Sequence, residues 1–365
     1  MSTPSRLPMP DAGRSLLTLY VSLILWVGLG TLLGRRLPAS VPYGLGKFLF
    51  WVGVPISIVT FLRQADLSAS IWLAPAIAWL AIALGAGLSW LCLRIDRYAR
   101  QRDLQELQPP DLQPPDLHSQ DLQPPDLQPT DQRSRRWQWA RAFLPHGLDR
   151  KATQGSFVLA AMVGNTGYLG YPVALALVGP QYFAWALFYD TLGSTLGAYG
   201  LGVAIASRLG GDRPPSLRAT AWTILTNPGL CSFVVGFGFR QVALPESVET
   251  VMRGSAWTII ALSLLLIGMR LSQVSSWQKI HQAAFSLGLK MVVVPLLLGT
   301  LLTLVGVTGA PKLIIVLQMA MPPAFATLVL AEAYDLDRDL AATALATGTV
   351  GLLFTLPIWL AIFGD

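Results

Sequence analysis

Charged side chains are scarce in this chain: Asp, Glu, Lys and Arg make up 13% of its 365 residues, about half the share in an average soluble protein. Such a composition excludes disorder, which depends on charge and polarity. Cysteine is scarcer still. Cys92 and Cys231 both fall inside apolar runs and have no CxxC spacing, so neither a disulfide framework nor a zinc site is indicated. The three histidines, His118, His146 and His281, lie in or beside polar loops without paired ligand spacing, and no metal or other cofactor is expected. Paired catalytic carboxylates and nucleophile–base arrangements are also missing, so an enzyme is not expected. Gly46-Lys47 lacks the earlier glycine and the following Ser/Thr of a phosphate loop. Gly28-Leu29-Gly30 with Gly34 has the wrong spacing for a dinucleotide loop and follows no strand. The polar segment from Met1 to Arg14 carries no cleavage-site pattern after the first apolar run, so no signal peptide is expected.

Apolar residues are abundant. They reach 53% of the chain, with a mean hydropathy of +0.52, which places it in the membrane class. Ten apolar runs can be read, at about 15–34, 42–62, 71–93, 155–178, 182–207, 222–240, 248–269, 281–305, 311–332 and 339–363, each long enough to span a bilayer. None alternates with a period of two. Helices are therefore expected rather than a barrel, giving an all-α polytopic membrane protein.

The net charge of +6 sits between the runs rather than on one face, so it orients loops and does not indicate nucleic-acid binding. Six basic residues fall on one side (Arg6, Arg14, Arg63, Arg240, Arg253 and Lys312) and eighteen on the other, ten of these within 94–151. This asymmetry predicts a multi-pass protein of the cell membrane with both termini outside. The cytoplasmic segment 94–151 holds five successive pentads from Leu107 to Asp131: LQPPD, LQPPD, LHSQD, LQPPD and LQPTD. Proline at that density favours an extended, solvated linker, with a PxxP-type ligand as the alternative. The basic stretch 133–141, with Trp137 and Trp139, suits the anionic inner leaflet.

Removing that insert exposes a repeat. Runs one and six begin about 206 residues apart, whereas Pro172 and Pro322 are separated by 150, and the difference is close to the insert's length. Residues 15–207 and 222–363 thus read as two five-helix units, and an odd number of spans makes the second copy inverted. Inverted repeats with interrupted helices are a transporter signature. GNTGYLGYP in run four, with Gly164, Gly167, Gly170 and Pro172, and QMAMPP in run nine, with Met321, Pro322 and Pro323, predict that both helices break. Facing half-helix N-termini can hold an anion there. Asn165, Thr166, Gly167 and Pro172 at the first break and Gln318, Met321, Pro322 and Pro323 at the second are the eight substrate-binding candidates, with capping of the broken ends as a compatible role for the polar Asn165, Thr166 and Gln318. Asp190 and Lys290 lie deep in runs five and eight. They are candidates for an ion or proton site, a charge pair or an anion attractor, with a structural ion pair or bonding to separate backbone carbonyls as the alternative, while Lys47 is expected to snorkel to the interface. Gly193 and Gly197 form a GxxxG, read as a close helix contact.

GNTGYLGYPVALALVG, ILTNPGL, LKMVVVPLL and QMAMPPAFATLVLAEAYDLD together resemble the auxin efflux carrier family, which includes bacterial members and the plant PIN proteins. The resemblance implies ten helices in two inverted repeats, a scaffold and a transport domain, crossed helices four and nine, and outward termini; homodimers occur in the related family. It matches Asn165 to the asparagine that faces the substrate carboxylate, Pro172 and Pro322 to the crossover prolines, and Lys290 to a basic position in the eighth helix. The implied activity is elevator-type transport of small organic anions, carboxylates or auxin-like acids, within the lipid bilayer. The alternatives are a sodium- or proton-coupled organic-anion symporter of the bile-acid type, and a non-transporting scaffold or sensor. The proline-rich insert departs from the family's short loop, and the short 208–219 loop lacks the regulatory segment of many plant members.

Overall fold

The computed structural model describes residues 12–65, 67, 69–106, 147–211, 217–272 and 278–364. The five pentads, the stretch 133–141, and His118 and His146 lie outside these. Among the described residues the fold is helical, and one isolated bridge, Gly164 to Pro323, is the single β-type pairing. The first α-helices are α1 (Ala12–Arg36), α2 (Ser40–Phe48), α3 (Val54–Gln64) and α4 (Leu73–Glu106). Next come α5 (Lys151–Met162), α6 (Tyr171–Leu177), α7 (Phe183–Phe188) and α8 (Val203–Leu209). The second half holds α9 (Leu217–Leu225), α10 (Pro228–Phe239), α11 (Glu246–Leu271) and α12 (Ile280–Leu287). It closes with α13 (Val294–Leu304), α14 (Gly309–Met319), α15 (Phe325–Ala333) and α16 (Arg338–Phe363).

Six stretches are long and apolar enough to cross a membrane: Leu17–Arg36, Ser40–Arg63, Ser70–Tyr98, Glu246–Leu271, Ile280–Leu304 and Arg338–Phe363. Among the described residues, runs four and nine carry the expected interruptions, and runs five and six are not long uninterrupted apolar helices either. Runs four and nine are each cut into two short helices. Run six is cut at Thr226–Asn227, where Pro228 cannot donate to the preceding turn and the Asn227 side chain accepts from the Gly229 and Leu230 amides, starting α10 afresh. Run five stays helical but is diluted by Gly, Ser, Thr and Tyr. Much of it winds as π-helix, at Tyr189–Thr195 and Gly197–Gly202.

The helices pack in two groups. In one, α1 lies along α11, and α3 packs on α10 and α11. Close approach there needs glycine: a β-carbon on Gly30 would strike the Leu265 carbonyl, and one on Gly268 would strike that of Val27. So Gly30 and Gly34 serve a helix contact. The other group joins α4, α5, α12 and α16 with α14, α15 and the π-helical run five. Gly193 and Gly197 lie against Ala78 and Ile82 of α4, the contact their spacing predicts.

Candidate functional site

The two interruptions meet at the centre of the second group. After Met162, Val163 turns extended (φ −109°, ψ 121°) and Asn165 leaves helical geometry (φ −79°, ψ 62°). The chain then rewinds as a π-helical turn over Thr166–Gly170 that runs into α6. In run nine the helix ends at Met319, Pro322 and Pro323 supply no N–H, and α15 begins after an extended Ala324 (φ −67°, ψ 148°). Each interrupted segment satisfies the other. The Asn165 N–H donates to the Pro322 carbonyl at 2.7 Å, and the Ala324 N–H donates to the Val163 carbonyl at 3.0 Å. Open backbone inside an apolar protein is costly, and this exchange pairs two donors and two acceptors that the breaks would otherwise leave open.

A cavity of about 460 Å³ opens from this meeting point into the space between the two helix groups. Its inner wall holds Gly164, Asn165, Thr166 and Gly167 from the first break and Ala324–Ala326 from the second. The Asn165 side chain is buried, and its amide nitrogen has no hydrogen-bond partner among the described residues. Neither restarted helix has a side-chain cap at its N-terminus, and Thr166, Gly167, Phe325 and Ala326 of the two first turns line the cavity. Aromatic rings of Phe50, Trp51, Tyr168, Tyr199 and Phe325 line the flanks, and Tyr43, Lys47, Arg270 and Glu332 stand toward the exposed end. Arg270, at the end of α11, lies over the Phe325 ring, 5.0 Å from its centroid, and so bridges the two helix groups.

Of the residues singled out in the sequence, Asn165, Thr166, Gly167 and Asp190 line the cavity. Asp190 accepts from the Thr166 hydroxyl and, at 2.7 Å, from the Tyr171 hydroxyl, which fastens the first break to the π-helical run five. Pro172, Gln318, Met321, Pro322 and Pro323 do not reach the cavity wall. Pro172 is the second residue of α6, past the break, and the prolines of run nine are packed inside the crossing. Gln318 is fully buried against Gly170, with neither polar atom of its carboxamide partnered among the described residues. Lys290 also sits behind the wall. Its Nζ donates to the Met319 carbonyl at 2.7 Å, at the C-terminus of α14, and among the described residues no ion pair joins it to Asp190.

Sequence reasoning misses Asn227, Arg270 and the position of Lys47. Asn227-Pro228-Gly229 carries the same signal as the other breaks, an amide and a proline inside an apolar run, and could have been found by it. Lys47 and Arg270 give no such signal, because a basic residue near a helix end is ordinarily an interface anchor.

A family model described as membrane transport protein matches residues 148–360, which include both interruptions and the inner wall. The chain belongs to the membrane transport protein family. An uncharacterized transporter of Methanothermobacter thermautotrophicus is 30% identical over 222 residues, covering 60% of this chain and 70% of that one. An uncharacterized transporter of Methanocaldococcus jannaschii is 30% identical over 209 residues, covering 56% and 67% respectively. A multi-pass membrane transport protein thus carries a cavity whose deepest surface is made from the ends of broken helices, and membership points to transport rather than to enzymatic chemistry.

Proposed function

We propose that this protein is a secondary carrier that exports small organic anions, with Asn165 and the two helix N-termini beside it receiving the anionic group. The observation that carries this reading is the unpartnered Asn165 amide at the inner end of the cavity. A buried donor without a partner costs roughly 1–3 kcal/mol, a cost that an acceptor on the cargo removes. Two uncapped helix N-termini add partial positive charge at the same place, which suits a carboxylate without a buried counter-cation in the wall itself. The aromatic flanks suit an organic rather than an inorganic anion.

Packing in two groups supports an elevator-type cycle in which both breaks move with α4, α5 and run five against α1, α3, α10 and α11. The ten runs would then form two inverted five-helix repeats, at 15–207 and 222–363. Lys47 and Arg270 lie at the ends of helices that face the basic loops, so the cavity would open to the cytoplasm, the side from which an exporter loads. An anion leaving a negative interior gains about 2.3 kcal/mol per charge per 100 mV, enough to drive export without a coupled ion.

The test is flux of radiolabelled malate, malonate and indole-3-acetate in proteoliposomes, native against Asn165→Ala, at zero and at imposed potential. Potential-driven flux that the substitution abolishes is expected. Flux that needs a sodium or proton gradient would replace export with coupled symport through Asp190, and absence of flux for every acid would overturn anion transport.

A further inference from the structure

We infer that Lys290 is a tethered counter-cation that travels with the transported anion, so that the loaded step moves less charge than the anion itself carries. This rests on the anion-carrier reading above. The Lys290 side chain, 2% exposed in the π-helical turn Gly288–Val293, reaches the broken end of α14 and donates to the Met319 carbonyl at 2.7 Å. That carbonyl belongs to the last turn of α14, where the helix presents partial negative charge and unfilled acceptors. In carriers with broken helices, such C-terminal half-helix ends are where a mobile cation binds. Here the covalently attached Lys290 amine fills the position. No carboxylate pairs with it among the described residues, since Asp190 is taken up by the Thr166 and Tyr171 hydroxyls.

The second observation is what separates this charge from the cavity. A β-carbon on Gly164 would lie 3.2 Å from Lys290 Nζ and 3.3 Å from its Cε. Gly164 is itself a wall residue of the cavity, next to Asn165. The ammonium therefore stands one glycine's backbone behind the surface that receives the anion, in a low-dielectric setting where a charge acts over several ångströms. Lys290, the first break and the second break all belong to one helix group, through the packing of Gly288–Val293 on α4, α5 and α16. If that group is what moves, the ammonium moves with it. A monoanion then crosses the field as a near-neutral pair, and the potential acts on the return of the empty carrier.

The experiment compares exchange with net efflux in proteoliposomes, using radiolabelled indole-3-acetate and malonate, with leak measured in protein-free vesicles. Exchange uses only loaded steps. In native protein its dependence on potential is expected to correspond to one elementary charge fewer than the cargo carries, while net efflux keeps the full dependence. Lys290→Met, close in shape and uncharged, should make exchange steeper by that charge, up to about 50-fold per 100 mV if it crosses the whole field; Lys290→Arg should retain the native profile. A lysine that serves only to cap α14 would change stability and leave the voltage dependence alone. Native exchange with the full charge of the cargo, or an unchanged profile in Lys290→Met, overturns the inference while leaving anion transport standing. Should Lys290→Met not fold, the native exchange profile decides by itself. Absence of indole-3-acetate and malonate flux in native protein would overturn both readings together.

Discussion

The Asn165 N–H and the Pro322 carbonyl, 157 positions apart in sequence, meet at 2.7 Å. Through this bond and its partner from Ala324 to Val163, two helices that proline and glycine would otherwise leave with open backbone complete each other. The same exchange leaves the Asn165 side chain, which takes no part in it, buried at the cavity wall with its amide nitrogen unpaired among the described residues.

Asn165→Ala should therefore separate stability from transport. Because the amide nitrogen has no partner among the described residues, the melting temperature in detergent is expected to stay close to the native value. Loss of a donor to a charged ligand, worth about 1.5–3 kcal/mol, should weaken cargo affinity by roughly 10- to 150-fold. A large fall in melting temperature with unchanged affinity would show that Asn165 is structural.

Ala324→Pro tests the exchange itself. Ala324 already has φ −67°, which proline adopts without strain, so the substitution removes essentially the N–H that donates to Val163. A loss of about 1–3 kcal/mol is expected, from a buried carbonyl left without its donor. Thermal unfolding followed by tryptophan fluorescence measures it, and an unchanged midpoint would mean that the crossing does not depend on this bond.

Gly170 and Gln318 should behave as a coupled pair. A β-carbon on Gly170 would collide with the Gln318 carboxamide, so Gly170→Ala is expected to destabilise by about 1–3 kcal/mol. Gln318→Ala opens space at that contact and also removes two buried polar atoms that have no partner. The double variant should then be more stable than the sum of the two single changes predicts, by an amount that a double-mutant cycle reads directly. Simple additivity would refute the contact.

Tyr171→Phe should loosen the first break. The phenol donates to Asp190 at 2.7 Å inside the protein, and losing it leaves a buried carboxylate with one hydroxyl donor fewer. A loss of about 1.5–3 kcal/mol in unfolding free energy is expected, together with faster hydrogen exchange at Thr166–Gly170. Protection that is unchanged would mean the π-helical turn holds without the phenol.

Much of this architecture is legible in the amino-acid sequence by itself. Apolar runs and the lack of period-two alternation dictate helices in a membrane, because the bilayer leaves no other way to satisfy the backbone. Gly164, Asn165, Pro322 and Pro323 mark the breaks, since a missing donor or a missing side chain acts locally wherever the chain goes. The spacing of Gly193 and Gly197 announces a close helix contact, which α4 provides. The depth of Asp190 and Lys290 announces that both need partners.

Tertiary structure decided the rest, because the deciding contacts are non-local. The bond from Asn165 to Pro322 and the approach of Lys290 to Met319 depend on which helices lie side by side, and sequence spacing does not encode that. So the two deep charges, for which an ion pair was one of several readings, went separate ways, Asp190 to two hydroxyls and Lys290 to a helix end. For the same reason five of the eight residues expected to bind the cargo lie away from the cavity, while Lys47, Asn227 and Arg270 came to its wall. Local chemistry fixes where a helix must break; only the packing of one group of helices against the other fixes which atoms the break exposes.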